Sequence, residues 1–218
     1  MSQIDMKFEK EIVKKISLNY LLYLPENYDQ NKNYPLIVFL HGAGERGDNL
    51  ELVKKHGIPK IVETEQNFQF IVVSPQCPKN SWWAMFSEEL FELLKNIEDD
   101  YSIDKNRIYL TGLSMGGFGT WDMAVKYPNK FAAIAPICGG LEDTDEVRKL
   151  VHIPIWVFHG AKDAVVPIKA SEELVDVLKE CGGNVQFTIY PELEHDSWTE
   201  TYNNPKLCEW FLKQERKK

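Results

Sequence analysis

The sequence predicts an α/β fold, a mostly parallel sheet with helices on both faces. Five short, continuously apolar runs carry the first part of that prediction: Leu36–Leu40, Phe70–Val73, Ile108–Leu110, Phe131–Ile137 and Ile155–Phe158. Strands buried on both faces read this way, because neither side of the strand meets water. Between the runs lie segments with apolar residues three and four apart, the period of an amphipathic helix. Strands that alternate with helices return to the sheet in the same direction, which gives a parallel sheet with covered faces.

Taken in order, Glu11 to Tyr23 alternates apolar with polar residues (Ile12, Ile16, Leu18, Tyr20, Leu22). This predicts antiparallel strands at a sheet edge with one wet face. Pro25 to Lys32 is turn chemistry. Ser87 to Ile97 has helical spacing, with Ser87 placed as an N-cap and acidic residues in the first turn. Phe118 to Tyr127 reads as a helix directly after the Ile108–Thr111 run. Ser171 to Lys179 repeats the earlier helical design and stops at Gly182-Gly183, a C-cap signal. Val185–Tyr190 alternates again as the last strand of the sheet, and Pro205 to Lys213 makes a terminal helix.

With 218 residues, 44% of them hydrophobic, and neither internal repeat nor linker, the chain is expected to form one domain over residues 1–218. A formal net charge of −8 and a pI of about 5.2 favour neither nucleic acid nor an anionic membrane as partner. No apolar run approaches the roughly 18 residues that a membrane helix needs. Met1 to Glu11 is polar, which predicts a cytoplasmic protein, or a secreted one if a signal peptide has been removed. Cys77, Cys138, Cys181 and Cys208 show no metal-ligand spacing, so the expectation is free thiols, no metal and no cofactor. The oligomeric state is not legible.

The stretch from Arg107 to Trp121 carries the chemistry. Ile108 to Thr111 stops at Gly112, Ser114 follows, then Gly116 and Gly117, then the helix. Strand, sharp turn with a serine at its tip, helix: this is the context in which Gly-x-Ser-x-Gly means a nucleophile elbow. A chance match to the motif lacks the strand before it and the helix after it. The glycines let the returning helix pass close to the strand, and its N-terminus turns N–H groups toward charge developing beside Ser114.

A serine hydroxyl is a weak nucleophile that needs a base, itself oriented by a third group. Asp163, just past Ile155–Phe158, and His195, just past Val185–Tyr190, stand where an acid and a base should follow the serine. Asp143 and Asp145 follow the preceding strand and remain rivals for the acid, whereas Asp196 adjoins His195 too closely to orient that ring. His159 and His152 flank strands and read as structural, and His56 lies in a charged loop. The loop His41-Gly-Ala-Gly-Glu-Arg-Gly47 can curl toward the nucleophile, which makes the N–H groups of Ala43 and Met115 the expected oxyanion donors. His41 is expected to brace this loop, and Glu45 and Arg46 either pin it or are solvated.

His41-Gly-Ala-Gly-Glu-Arg-Gly47, Gly112-Leu-Ser-Met-Gly-Gly117, Lys162-Asp163-x-x-Val166-Pro167 and His195-Asp-Ser-Trp198 together resemble the α/β-hydrolase superfamily. Within it they resemble the compact esterase branch of feruloyl esterases, polyhydroxybutyrate-depolymerase-like proteins and predicted peptidases. The resemblance runs from about Leu18 to Phe211 and implies a Ser-His-Asp esterase of the α/β-hydrolase fold. The chain departs from the superfamily at Glu194, where a glycine often precedes the catalytic histidine. A dienelactone hydrolase is disfavoured, since that branch uses cysteine at the position of Ser114. A peptidase of the prolyl-oligopeptidase type, which usually carries a large gating domain, and a catalytically inactive binding module stay open.

Only Cys138 to His152 separates Phe131–Ile137 from the next strand, too little for a large cap domain. An open cleft is therefore expected, for a small-molecule or polysaccharide-linked ester with a short-chain or hydroxycinnamoyl acyl group. Trp82, Trp83 and Trp198 are candidates for its flat apolar wall, with ordinary packing against a neighbouring helix as the alternative.

Overall fold

The computed structural model describes residues 4–11, 13–65 and 68–216. Seven strands form one sheet in the order β1-β3-β2-β4-β5-β6-β7. They are β1 Tyr20–Tyr23, β2 Tyr34–Leu40, β3 Ile71–Pro75, β4 Ile103–Leu113, β5 Ala133–Ile137, β6 Ile155–Gly160 and β7 Val185–Tyr190. β1 pairs antiparallel with β3, and every other neighbouring pair is parallel. The α/β-hydrolase expectation holds: helices cover both faces, and no large cap stands over the sheet among the described residues.

Alternation within the strands assigns the faces. Leu36, Val38 and Leu40 of β2 join one buried cluster, with Leu90, Leu94 and Ile97 of α2 (Ser87–Asp100), Trp121 of α3 (Met115–Lys126) and Leu174 of α4 (Lys169–Glu180). Ile37 and Phe39 point the other way. They meet Ile58 of α1 (Gly57–Ile61), Tyr202 of α5 (Trp198–Asn203) and Phe211 of α6 (Lys206–Leu212). The apolar runs of the central strands are continuous because both of their sides are core. β7 is different: it lies at the sheet edge and is only half-buried.

Three local expectations are corrected. Of the Glu11–Tyr23 alternation only Tyr20–Tyr23 forms a strand (Ile12 lies outside the described residues). Its partner β3 ends at Pro75, and after one further bond, from Gln76 N–H to the Asn19 carbonyl at 2.7 Å, that chain turns away to meet Gly47. Ser87 is not an N-cap acceptor, because a 3-10 turn over Trp83–Phe86 runs straight into α2. Its hydroxyl lies 2.7 Å from Asp122 Oδ2 and donates there, or to the Ala84 carbonyl at 3.1 Å. α3 begins at Met115 rather than Phe118, so Gly116 and Gly117 belong to the helix itself.

Candidate active site

Ser114 stands between β4 and α3 with φ 52° and ψ −115°, a left-handed backbone that a non-glycine residue adopts at a cost of roughly 1–3 kcal/mol. The turn is held from both sides: Ser114 N–H donates to the Ile137 carbonyl at 3.0 Å, and the Ser114 carbonyl accepts from Phe118 N–H at 3.1 Å. Gly116 shows why the elbow excludes side chains. A Cβ there would lie 1.9 Å from the Leu40 carbonyl oxygen, so the helix packs against β2 through bare backbone.

Asp163 lies in the loop after β6 and His195 in the loop after β7. Ser114 Oγ is 2.9 Å from His195 Nε2, and His195 Nδ1 is 2.7 Å from Asp163 Oδ2. The three expected residues, which come from three different loops, therefore form one connected line. Gly160 brings the last two loops together, since a Cβ at that position would meet the Glu194 carbonyl at 2.1 Å. Lys162 N–H then stitches them by donating to the Leu193 carbonyl at 3.0 Å. Glu194 itself has no positive φ, so no glycine is required before His195.

The carboxylate of Asp163 is fully shielded from solvent. Burial pushes its pKa up, but bonds from His195 and from the N–H groups of Val166 and Val165 outweigh burial and hold it below the ordinary value. Both backbone donors reach Oδ1 at 2.9 Å, which leaves Oδ2 for the imidazole. The rival acids are occupied elsewhere. Asp143 accepts from Asp145 N–H, Asp145 pairs with Arg148, and Asp196 accepts from Thr199.

Cys138 Sγ, a carboxylate oxygen of Asp163 and a ring nitrogen of His195 lie within 4.8 Å of one another, the one cluster of potential metal ligands among the described residues. Burial raises the Cys138 thiol to about 12, so it stays protonated. Asp163 and His195 already spend their facing atoms on each other.

The His41–Gly47 loop is built as a brace. Cys77 N–H donates to His41 Nε2 at 2.9 Å, which places the ring proton on Nδ1, 2.6 Å from the Gly42 carbonyl. Burial lowers the His41 pKa to about 4, so the ring is neutral. Arg46 donates from Nε to the Ala43 carbonyl at 2.9 Å and from Nη1 to the Ser81 carbonyl at 3.1 Å, and its guanidinium lies 5.5 Å from the Trp82 ring centre. One side chain thus ties the loop of Ala43 to the loop of Trp82.

Ala43, Ser114 and Met115 line one cleft of about 800 Å³, together with Trp82, Phe118 and Val165. Asp122, Lys126 and Glu146 add polar groups to the lining. The three candidate tryptophans divide. Trp82 is half exposed at the cleft, whereas Trp83 is 1% exposed and its indole N–H is taken by the His41 carbonyl at 2.9 Å. Trp198 stands outside the cleft lining and packs edge-on against the His195 ring at a centroid distance of 5.2 Å. Trp83 also borders the cleft, as a buried ring held by its bond to the His41 carbonyl, whereas Trp198 supports His195 from outside the lining. Phe118 and Val165 were missed. Their signals were an aromatic residue in the first turn of the elbow helix and a Val-Val pair in a polar turn.

A sequence profile of the phospholipase/carboxylesterase family matches residues 84–204, a span that includes Ser114, Asp163 and His195. The chain belongs to the phospholipase/carboxylesterase family. Among curated members of the wider esterase group, a probable feruloyl esterase C of Aspergillus oryzae is 30% identical over 165 residues, 72% of this chain and 59% of that protein. A bifunctional acetylxylan esterase/xylanase of Neocallimastix patriciarum is 29% identical over 66% of this chain and 21% of its own length. A solved thermostable esterase is 40% identical with a TM-score of 0.77, covering 91% of this chain and 60% of that one. The chain thus spans about three fifths, or less, of these longer relatives. As a family member it shares the α/β-hydrolase sheet described above, and among the described residues no helix is long and apolar enough to cross a membrane.

Proposed function

We propose that this phospholipase/carboxylesterase family member hydrolyses carboxylic esters through an acyl-enzyme on Ser114. The observation that carries the reading is the unbroken line from Ser114 Oγ to His195 at 2.9 Å and on to Asp163 at 2.7 Å. His195 Nε2 takes the hydroxyl proton as Oγ bonds to the acyl carbon. The same proton passes to the leaving alcohol as the ester C–O bond breaks. Water then attacks the acyl-enzyme, with His195 again as base, and releases the acid and free Ser114. Asp163 keeps the proton of the resting imidazole on Nδ1 and stabilises the imidazolium.

The tetrahedral intermediate carries an oxyanion, and the donors assigned to it are the N–H groups of Ala43 and Met115. Met115 opens α3, where first-turn N–H groups have no partner within the helix. Support for the acyl group comes from the cleft. It is open, apolar near Ser114, and walled by Trp82 and Phe118. A planar hydroxycinnamoyl group or a short acyl chain fits such walls, and relatives named as feruloyl and acetylxylan esterases point the same way.

The test is labelling by a fluorophosphonate probe together with turnover of an ester panel and matched amides. Labelling lost in Ser114→Ala and turnover of esters well above amides are expected. An unlabelled wild-type protein would mean an inactive binding module, and amide turnover equal to ester turnover would mean a peptidase.

A further inference from the structure

His159 is a second imidazole at the site, and the mechanism above does not use it. It lies at the end of β6 with its side chain wholly buried. Its Nε2 faces two oxygens that carry no hydrogen, the Val166 carbonyl at 2.9 Å and Asp163 Oδ2 at 3.2 Å. A bare nitrogen would set its lone pair against both, so Nε2 carries the proton and donates. Burial disfavours the charged ring and lowers the His159 pKa, against the raising influence of Val166 and Asp163. The ring is therefore neutral, and Nδ1 accepts from Ser171 Oγ at 2.8 Å, ahead of the alternative acceptor for that hydroxyl, the Gly139 carbonyl at 3.2 Å. Ser171 sits in the first turn of α4 and is fully buried, so the donor to Nδ1 is itself fixed.

We propose that His159 is a positioning residue for the reaction, holding Asp163 Oδ2 in line with His195 through its Nε2–H; this rests on the Ser114–His195–Asp163 reading. Asp163 then meets four donors: Val165 and Val166 N–H on Oδ1, and His195 and His159 on Oδ2. With both oxygens fixed, the carboxylate cannot rotate away from His195 Nδ1. Sharing Oδ2 also limits how strongly it attracts the His195 proton. Around this carboxylate the titratable groups are His159, His195 and the protonated thiol of Cys138. His159 stands outside the cleft lining, so its effect belongs in kcat and not in substrate binding.

His159→Phe removes the donor, and His159→Gln returns an N–H near the place of Nε2. For His159→Phe, kcat is expected to fall about tenfold with KM within about twofold of wild type. The acidic limb of kcat/KM against pH should move to higher pH, and the low-field proton resonance of the His195–Asp163 bond should shift. His159→Gln should recover all three. In an Asp163→Asn background, His159→Phe should add no further loss, since its route of action is gone. A folded His159→Phe enzyme with wild-type kcat, pH profile and resonance overturns the proposal, as does a fully additive loss in the double variant. Should His159→Phe not fold, His159→Asn takes its place, because its shorter amide can still accept from Ser171 near the place of Nδ1 but cannot reach Asp163. It should reproduce the loss, and wild-type behaviour there overturns the proposal. The underlying reading fails by a different result: Asp163→Asn alone retaining full activity.

Discussion

His41 Nδ1 donates to the carbonyl of Gly42, the next residue in the chain, at 2.6 Å. In a trans peptide the carbonyl and the following N–H point in opposite directions. Drawing the Gly42 carbonyl toward His41 therefore turns Ala43 N–H to the other side of the loop. The brace works only with a neutral ring, since Nε2 must accept from Cys77 N–H. A pH dependence follows. The unfolded chain takes up the His41 proton near 6.5, but the folded protein only near about 4. Between those values the unfolded state binds more protons, so stability falls as pH drops from about 6.5 to about 4. The difference corresponds to on the order of 3 kcal/mol at about 1.4 kcal/mol per pH unit. Urea midpoints measured from pH 7 to pH 4 should fall for the wild type and less steeply for His41→Asn, which starts less stable at pH 7. Equal slopes would remove His41 as the cause.

Ser114 pairs reactivity with strain, and two substitutions separate them. Ser114→Ala should lower ester turnover by about 10⁴-fold or more while leaving the far-ultraviolet circular dichroism unchanged. Ser114→Gly should be equally inactive but more stable by roughly 1 kcal/mol, because glycine adopts φ 52° without penalty. A glycine variant no more stable than the alanine variant would show that the turn holds no releasable strain.

Arg46 links the loop of Ala43 to the aromatic wall, so its loss should be felt at both. Arg46→Ala is expected to lower kcat/KM about tenfold on a hydroxycinnamoyl ester, through Ala43 and through the unsupported Trp82 ring. An acetyl ester, which does not reach Trp82, should lose less. Arg46→Lys should rescue little, because one ammonium cannot serve two carbonyls and cover an indole together. Full rescue by lysine would reduce Arg46 to a point charge.

The open cleft sets a limit on acyl length. Between β5 and β6 the chain forms only a 3-10 segment over Thr144–Leu150, with no helical lid to bury a long alkyl chain. Rates per enzyme should be higher for acetyl-to-butyryl or hydroxycinnamoyl esters than for acyl chains of about twelve carbons. There should be no jump in rate above the micellar threshold. Activity that climbs with chain length would contradict the cleft as described.

The parts legible in the sequence share a physical cause. Continuous apolar runs mark β2 to β6 because both faces of these strands are largely core, and the elbow is legible because close backbone approach at Gly116 demands glycine. Order along the chain makes Asp163 and His195 the expected partners of Ser114, with Asp143 and Asp145 as rivals for the acid. What escaped depends on contacts that leave no local pattern. The end of β1 is set by where β3 turns away at Pro75, and the burial of Trp83 by the His41 carbonyl that receives its indole. His159 looked structural from its place at a strand end, and only its 3.2 Å distance to Asp163 shows what it supports.

The half-buried edge strand has a consequence for how this protein fails. His195 hangs from β7, the edge strand of the sheet among the described residues, while Ser114 hangs from the central β4 some 81 positions away in sequence. Heat or denaturant should fray β7 well before it reaches β4, since local opening follows the least-packed elements. Inactivation would then be a local event, reversible on cooling, that precedes loss of the core around Trp83 and Trp121.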